Sequence, residues 1–115
     1  MKLNLFDIIE LIVDIPENRL NVGMRGTIVE CLSNDAYEVE FINDHGETIN
    51  TLPLYQGQFI VVWRSDTKEW VTLSEKVANL VASLPEDIGT EVLDFAKFLY
   101  WQRQRNGISY IRQEK

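Results

Sequence analysis

Residues 23–41, Gly-Met-Arg-Gly-Thr-Ile-Val-Glu-Cys-Leu-Ser-Asn-Asp-Ala-Tyr-Glu-Val-Glu-Phe, constrain the fold more than any other stretch. Two glycines open an apolar run and the polar segment 33–36 interrupts it. Apolar and acidic residues then alternate through Tyr37-Glu38-Val39-Glu40-Phe41. Successive side chains of a strand point to opposite faces, so Tyr37, Val39 and Phe41 share one face while Glu38 and Glu40 share the other. The stretch predicts a hairpin, with one strand over 27–32 and the next entered at Tyr37. Gly23 and Gly26 fit bends that need positive φ.

Around this hairpin the chain supplies further strands. Residues 6–15 are rich in β-branched types and end at Pro16, which predicts a first strand. Residues 16–23 read as a loop, with proline and asparagine supplying the turn chemistry. Asn43-Asp44-His45-Gly46 predicts a second hairpin turn, with Gly46 left-handed. A weakly patterned fourth strand follows over 47–52, and Pro53 confines its end to a sheet edge. The run Phe59-Ile-Val-Val-Trp63 suits a fifth strand buried on both faces. Five short strands at spacings near ten residues predict a compact, strongly bent barrel over 1–66.

After Trp63 the periodicity changes. Thr72-Leu-Ser-Glu75 and Ser83-Leu-Pro-Glu86 both match the capping box. They predict a short helix over 74–82, with Val77, Leu80 and Val81 on one side, and a long one over 85–105. Pro85 is expected in the first turn of the long helix, where its missing N–H costs nothing. Ile88, Val92, Phe95, Ala96 and Leu99 recur at spacings of three and four, which makes an amphipathic face. Leu93, Phe98, Tyr100 and Trp101 widen it. Gly107 is the expected stop, with a frayed tail over 108–115. The fold class is therefore α+β: a five-stranded barrel over 1–66, then a helical hairpin and basic tail over 67–115.

Charge divides along the same line. The chain carries a net charge of −7 over 115 residues. Residues 1–70 hold five Lys/Arg against twelve Asp/Glu, whereas 71–115 hold six of each. Acidic surface repels phosphate backbones, so nucleic acid is an unfavoured partner for the first segment. No apolar run reaches the eighteen residues that a membrane span needs. The opening residues reach Asp7 without the apolar core of a signal peptide, and one cysteine cannot form an internal disulfide; a cytoplasmic chain is expected.

Chemistry-bearing residues are sparse. His45 falls in a predicted turn, and Cys31 reads as a small core residue of a strand. One histidine and one cysteine fall short of a zinc site. Glu30, Glu38, Glu40 and Glu47 read as a solvated face, and Asp14 and Glu17 as loop-capping groups around Pro16. No phosphate loop, dinucleotide fingerprint or nucleophile elbow is present. Neither an enzymatic activity, a metal nor a cofactor is expected.

Three motifs carry a resemblance. Gly23-Met-Arg-Gly-Thr-Ile-Val-Glu30, Tyr37-Glu-Val-Glu-Phe41 and Asp44-His-Gly-Glu-Thr48 resemble the SH3-like small barrels of the KOW type. Together with Asp7-Ile-Ile-Glu-Leu11 and Asp14-Ile-Pro-Glu17, they resemble a bacterial family known only as a domain of unknown function. That resemblance spans roughly 4–63 and implies a fold without an agreed activity. Residues 84–100, with Leu-Pro-Glu, Glu-Val-Leu-Asp-Phe and a Phe-Leu pair, resemble a segment of short bacterial proteins classed as antitoxins or antitoxin-associated.

Two arrangements suit the aromatic residues. The helices pack on the barrel and bury them, or they form an exposed patch that recognises a partner. The leading expectation is a non-catalytic protein–protein interaction protein, antitoxin-like. Val92, Phe95, Leu99 and Trp101 would dock a protein partner or a second copy, and Arg103, Arg105 and Arg112 would meet an acidic surface or nucleic acid. The alternatives are a KOW-like nucleic-acid-associated barrel using Arg19 and Arg25, and an accessory subunit of a larger complex.

Overall fold

The computed structural model describes residues 3–106. Its first strand, β1 (Ile8–Leu11), is shorter than the apolar run over 6–15 predicts. Phe6 sits at φ 71° and donates its N–H to Ile28 O at 2.7 Å, so the chain turns just before it enters the sheet. Beyond Leu11 the apolar residues serve the core without extending the strand. Pro16–Asn18 forms a 3-10 turn closed by a bridge between Ile15 and Leu20, and both of these are buried in the core. The β-branched run therefore predicts burial better than it predicts strand length.

The central hairpin forms as expected. β2 (Arg25–Cys31) pairs with β3 (Ala36–Ile42), setting Thr27 opposite Glu40, Ile28 opposite Val39 and Cys31 opposite Tyr37. Tyr37, Val39 and Phe41 are buried, while Glu38 and Glu40 on the other face are half-buried. Gly23 has the expected positive φ of 95°. Gly26 is required for a different reason: a Cβ there would lie 2.7 Å from Val39 Cγ1, 2.9 Å from Phe41 Cε2 and 3.0 Å from the Glu40 carbonyl. Only a residue without a side chain lets β2 approach β3 so closely.

β4 (Thr48–Tyr55) continues through Pro53, and β5 (Phe59–Arg64) lies beside β1. A sixth strand, β6 (Glu69–Trp70), adds to β5 after a turn in which Lys68 N–H donates to Arg64 O at 2.8 Å. All pairings are antiparallel, in the order β4-β3-β2-β1-β5-β6. The expected five-stranded closed barrel is thus replaced by a six-stranded open sheet. Neither end strand can offer a full closing ladder: Pro53 removes a donor from β4, and β6 is two residues long. Pro53 does keep β4 at the edge. Ile9, Leu11, Ile28, Val39, Phe41, Leu54 and Val61 make the core on one face of the sheet.

α1 (Leu73–Ala82) opens with a formed capping box. Glu75 N–H donates to Thr72 Oγ1 at 3.3 Å and Thr72 N–H donates to Glu75 Oε1 at 3.2 Å. α2 (Glu86–Arg105) departs from expectation at its start: Pro85 is the N-cap, extended at φ −60° and ψ 156°, and no side-chain cap hydrogen bond forms. Proline disfavours helical geometry at the residue before it, so the helix begins after Pro85 and not at the Ser83 cap expected from sequence. The chain divides into two compact units, Met1–Leu80 with the sheet and Val81–Lys115 with α2. Among the described residues no helix is long and apolar enough to cross a membrane. The expected stop at Gly107, the tail over 108–115 and Arg112 lie outside the described residues.

Candidate interaction surfaces

No residue of α2 is buried. Eight of its large apolar side chains are exposed: Ile88, Val92, Leu93, Phe95, Phe98, Leu99, Tyr100 and Trp101. The four apolar residues expected to dock a partner do not form one face, however. At about 100° per residue, Val92, Phe95 and Leu99 fall on one stripe, whereas Trp101 points nearly opposite Val92. Trp101 instead ends a ridge spaced by three. Phe95 stacks on Phe98 at 6.5 Å between ring centroids, and Phe98 meets Trp101 at 6.1 Å. The Arg105 guanidinium lies 5.3 Å from the Trp101 ring centre, a cation–π contact one turn on. Phe98 is therefore the residue missing from the expected set, and its spacing of three from both neighbours was the signal. Arg103 and Arg105 stand in the last turn, opposite in sign to Glu86 and Asp87 in the first, as the helix dipole favours.

A second surface lies on the sheet unit. Ile8, Arg25, Thr27, Glu40, Ile42 and Trp70 line a shallow recess of about 240 Å³. Arg25 Nε contacts Glu10 Oε1 at 3.2 Å, and its guanidinium lies 5.6 Å from the Trp70 ring centre. Trp70 also meets Trp63 edge-on at 6.5 Å. β6 was missed in the sequence, although the Asp-Thr-Lys turn after an apolar strand was its signal. Of the other aromatic residues around the last strands, Phe59 is buried and Tyr55 exposed. Arg19 takes the left-handed position that ends the 3-10 turn, at φ 59°, and is exposed. Arg19 and Arg25 thus stand on different features, and Arg25 is engaged within the chain.

The remaining polar candidates resolve into structural roles. Asp14 Oδ1 accepts from Val22 N–H at 2.8 Å and closes the loop after β1, as a capping group should. His45 is an exposed turn residue whose N–H donates to Asn43 Oδ1 at 2.8 Å. Cys31 is exposed, against the expectation of a core residue. It ends β2 opposite the buried Tyr37, and Leu32 beyond it is exposed as well. Glu30 sits directly opposite Glu38, and Glu40 accepts from Thr48 Oγ1. Among the described residues no group of three histidine, cysteine or acidic side chains is placed to hold a metal ion.

Asp7 is the buried charged side chain of the core region, 1% exposed. Its carboxylate accepts from Ser65 N–H at 2.8 Å, Ser65 Oγ at 2.9 Å and Asn4 N–H at 2.9 Å. Those three donors satisfy it inside the chain, so it joins the entry to β1 to the turn after β5. Asp7 and Asp14, both conspicuous in the motifs, are staples of the fold.

These observations define a class: an open antiparallel sheet unit, stapled by buried and loop-capping carboxylates, with a helix that leaves its apolar residues exposed. Residues 5–61 match the model of a family described as a domain of unknown function, DUF4926. Over those residues the sheet unit is similar to that uncharacterised family. The match ends within β5, so α1 and α2 lie outside it. No curated protein and no solved structure matches the chain.

Proposed function

We propose that the chain is a non-catalytic protein–protein interaction protein, an antitoxin-like component that acts in the cytoplasm through α2. One observation carries the reading. A twenty-residue helix with no buried residue exposes eight large apolar side chains. Exposed apolar surface at that density marks a contact surface, and Phe, Tyr and Trp are favoured anchors of such contacts. The acidic sheet unit suits a basic partner, as neutralisation of a basic toxin would need. We read that unit as an opened relative of the SH3-like small barrels. A β2-β3-β4 meander with β1 lying between β2 and β5 supports the likeness.

The test compares the proteins that co-purify with the full chain and with a Phe95→Glu/Leu99→Glu variant. A partner held in stoichiometric amount by the parent and released by the variant supports the reading, provided both chains unfold at the same temperature. Identical co-purifying sets and identical solution masses would sink it. For the nucleic-acid alternative, Arg25 is already engaged by Glu10 and Trp70. If Arg25→Glu leaves DNA and RNA retention at baseline, that alternative fails.

A further inference from the structure

We infer that the occupant of the α2 face is a second copy of this chain, with its α2 antiparallel to the first. The inference rests on the reading of α2 as a contact surface and names its partner. Within α2, Ile88, Val92, Phe95, Leu99 and Gln102 follow each other at spacings of four, three, four and three. That is the a/d repeat of a two-helix seam, sustained for about four turns. Residues seven apart flank it on either side. Gly89, Ala96 and Arg103 lie along one flank, and Glu91, Phe98 and Arg105 along the other. The two small residues on the first flank permit close approach of a second helix.

Charge decides the direction. The first half of α2 carries Glu86, Asp87, Glu91 and Asp94, and the second half carries Lys97, Arg103 and Arg105. A parallel pair would set acid beside acid, base beside base, and the two helix dipoles in the same sense. An antiparallel pair reverses all three. Equivalent flanks face each other in an antiparallel pair. With the two-fold axis near residues 97–98, Glu91 meets the partner's Arg105, Phe98 meets the partner's Phe98, and Phe95 meets the partner's Leu99. The exposed Phe98 ring, which no single seam would cover, then lies at the centre of the interface. A C2 contact of this kind is self-complementary: each ion pair occurs twice.

Four turns make a short seam, so the assembly depends on concentration. Light scattering on the full chain over a hundredfold range of concentration is expected to show the mass rise from one copy to two. Arg105→Glu should weaken the dimer about three- to tenfold, because each exposed charge pair contributes modestly. Glu91→Arg/Arg105→Glu should restore it.

Orientation is read by cross-linking. In a Cys31→Ser background, Glu91→Cys and Arg105→Cys chains are mixed and treated with a short bismaleimide. Mixed 91–105 products support the antiparallel pair. Dominant 91–91 and 105–105 products overturn it while leaving α2 as the contact surface. A single-copy mass at every concentration overturns self-pairing altogether. In that case a partner still lost from the Phe95→Glu/Leu99→Glu variant shows that the contact reading survives without it. No such loss would end both.

Discussion

At the scale of single residues, the carboxylates and glycines that stand out in the chain do structural work. Asp7→Ala leaves the Ser65 and Asn4 N–H groups without their acceptor. Unsatisfied donors cost up to about 1–3 kcal/mol each when buried, and these two are part-buried, so the urea midpoint should fall with an unchanged slope. An unchanged midpoint would remove Asp7 from the list of staples. Gly26→Ala drives a Cβ against Val39, Phe41 and the Glu40 carbonyl. Overpacking of this kind costs roughly 1–3 kcal/mol, and thermal unfolding would report it as a lowered midpoint. Gly26 was visible as important, but its reason was not. The sequence offered positive φ, whereas the clash comes from residues of the next strand. Asp7 was harder still, because its partner Ser65 lies 58 residues away.

At the scale of elements, local chemistry decided the α1 start and long-range pairing decided the sheet. The Thr72 N–H, then the Thr72 hydroxyl, hold the Glu75 carboxyl below its ordinary value of 4.5. A carboxylate whose folded-state pKa is depressed contributes stability above its unfolded pKa and loses it as pH falls through the folded value. Acid titration followed by circular dichroism should therefore show this contribution to α1 lost only as pH falls below the ordinary carboxylate range. Glu75→Gln should lack that acid-dependent component. A parent and variant with superimposable curves would deny the box any part in α1. The start of α2 shifted for an equally local reason, since Pro85 disfavours helical geometry at Leu84. β6 is different. It exists because Trp70 pairs with Trp63 across a turn, a contact that neither segment announces alone.

At the scale of the whole molecule, burial is unequally shared between the two units. The sheet strands hold the fully buried residues, and α2 holds none. Amides in β1, β2 and β5 should exchange slowest with deuterated solvent, because opening them breaches the core. Amides in α2 should exchange much faster in dilute protein and slow as concentration rises, since a partner would bury the seam. Protection of α2 that is high and independent of concentration would contradict both the exposure and the proposed pairing. The measurement is hydrogen exchange by mass spectrometry at two protein concentrations.

What the chain determined by itself follows from short-range periodicity. The period-two alternation of 37–41 placed β3 and its faces, the proline placed β4 at an edge, and the spacings of three and four placed α2. These signals are local, so they survive without knowledge of neighbours. Tertiary structure alone decided that the sheet stays open and takes a sixth strand, and that Cys31 is exposed. Each depends on which groups meet across the sheet. Closure needs complementary rows of donors and acceptors on two edges, and burial needs a covering neighbour. Neither is a property of any one stretch of sequence.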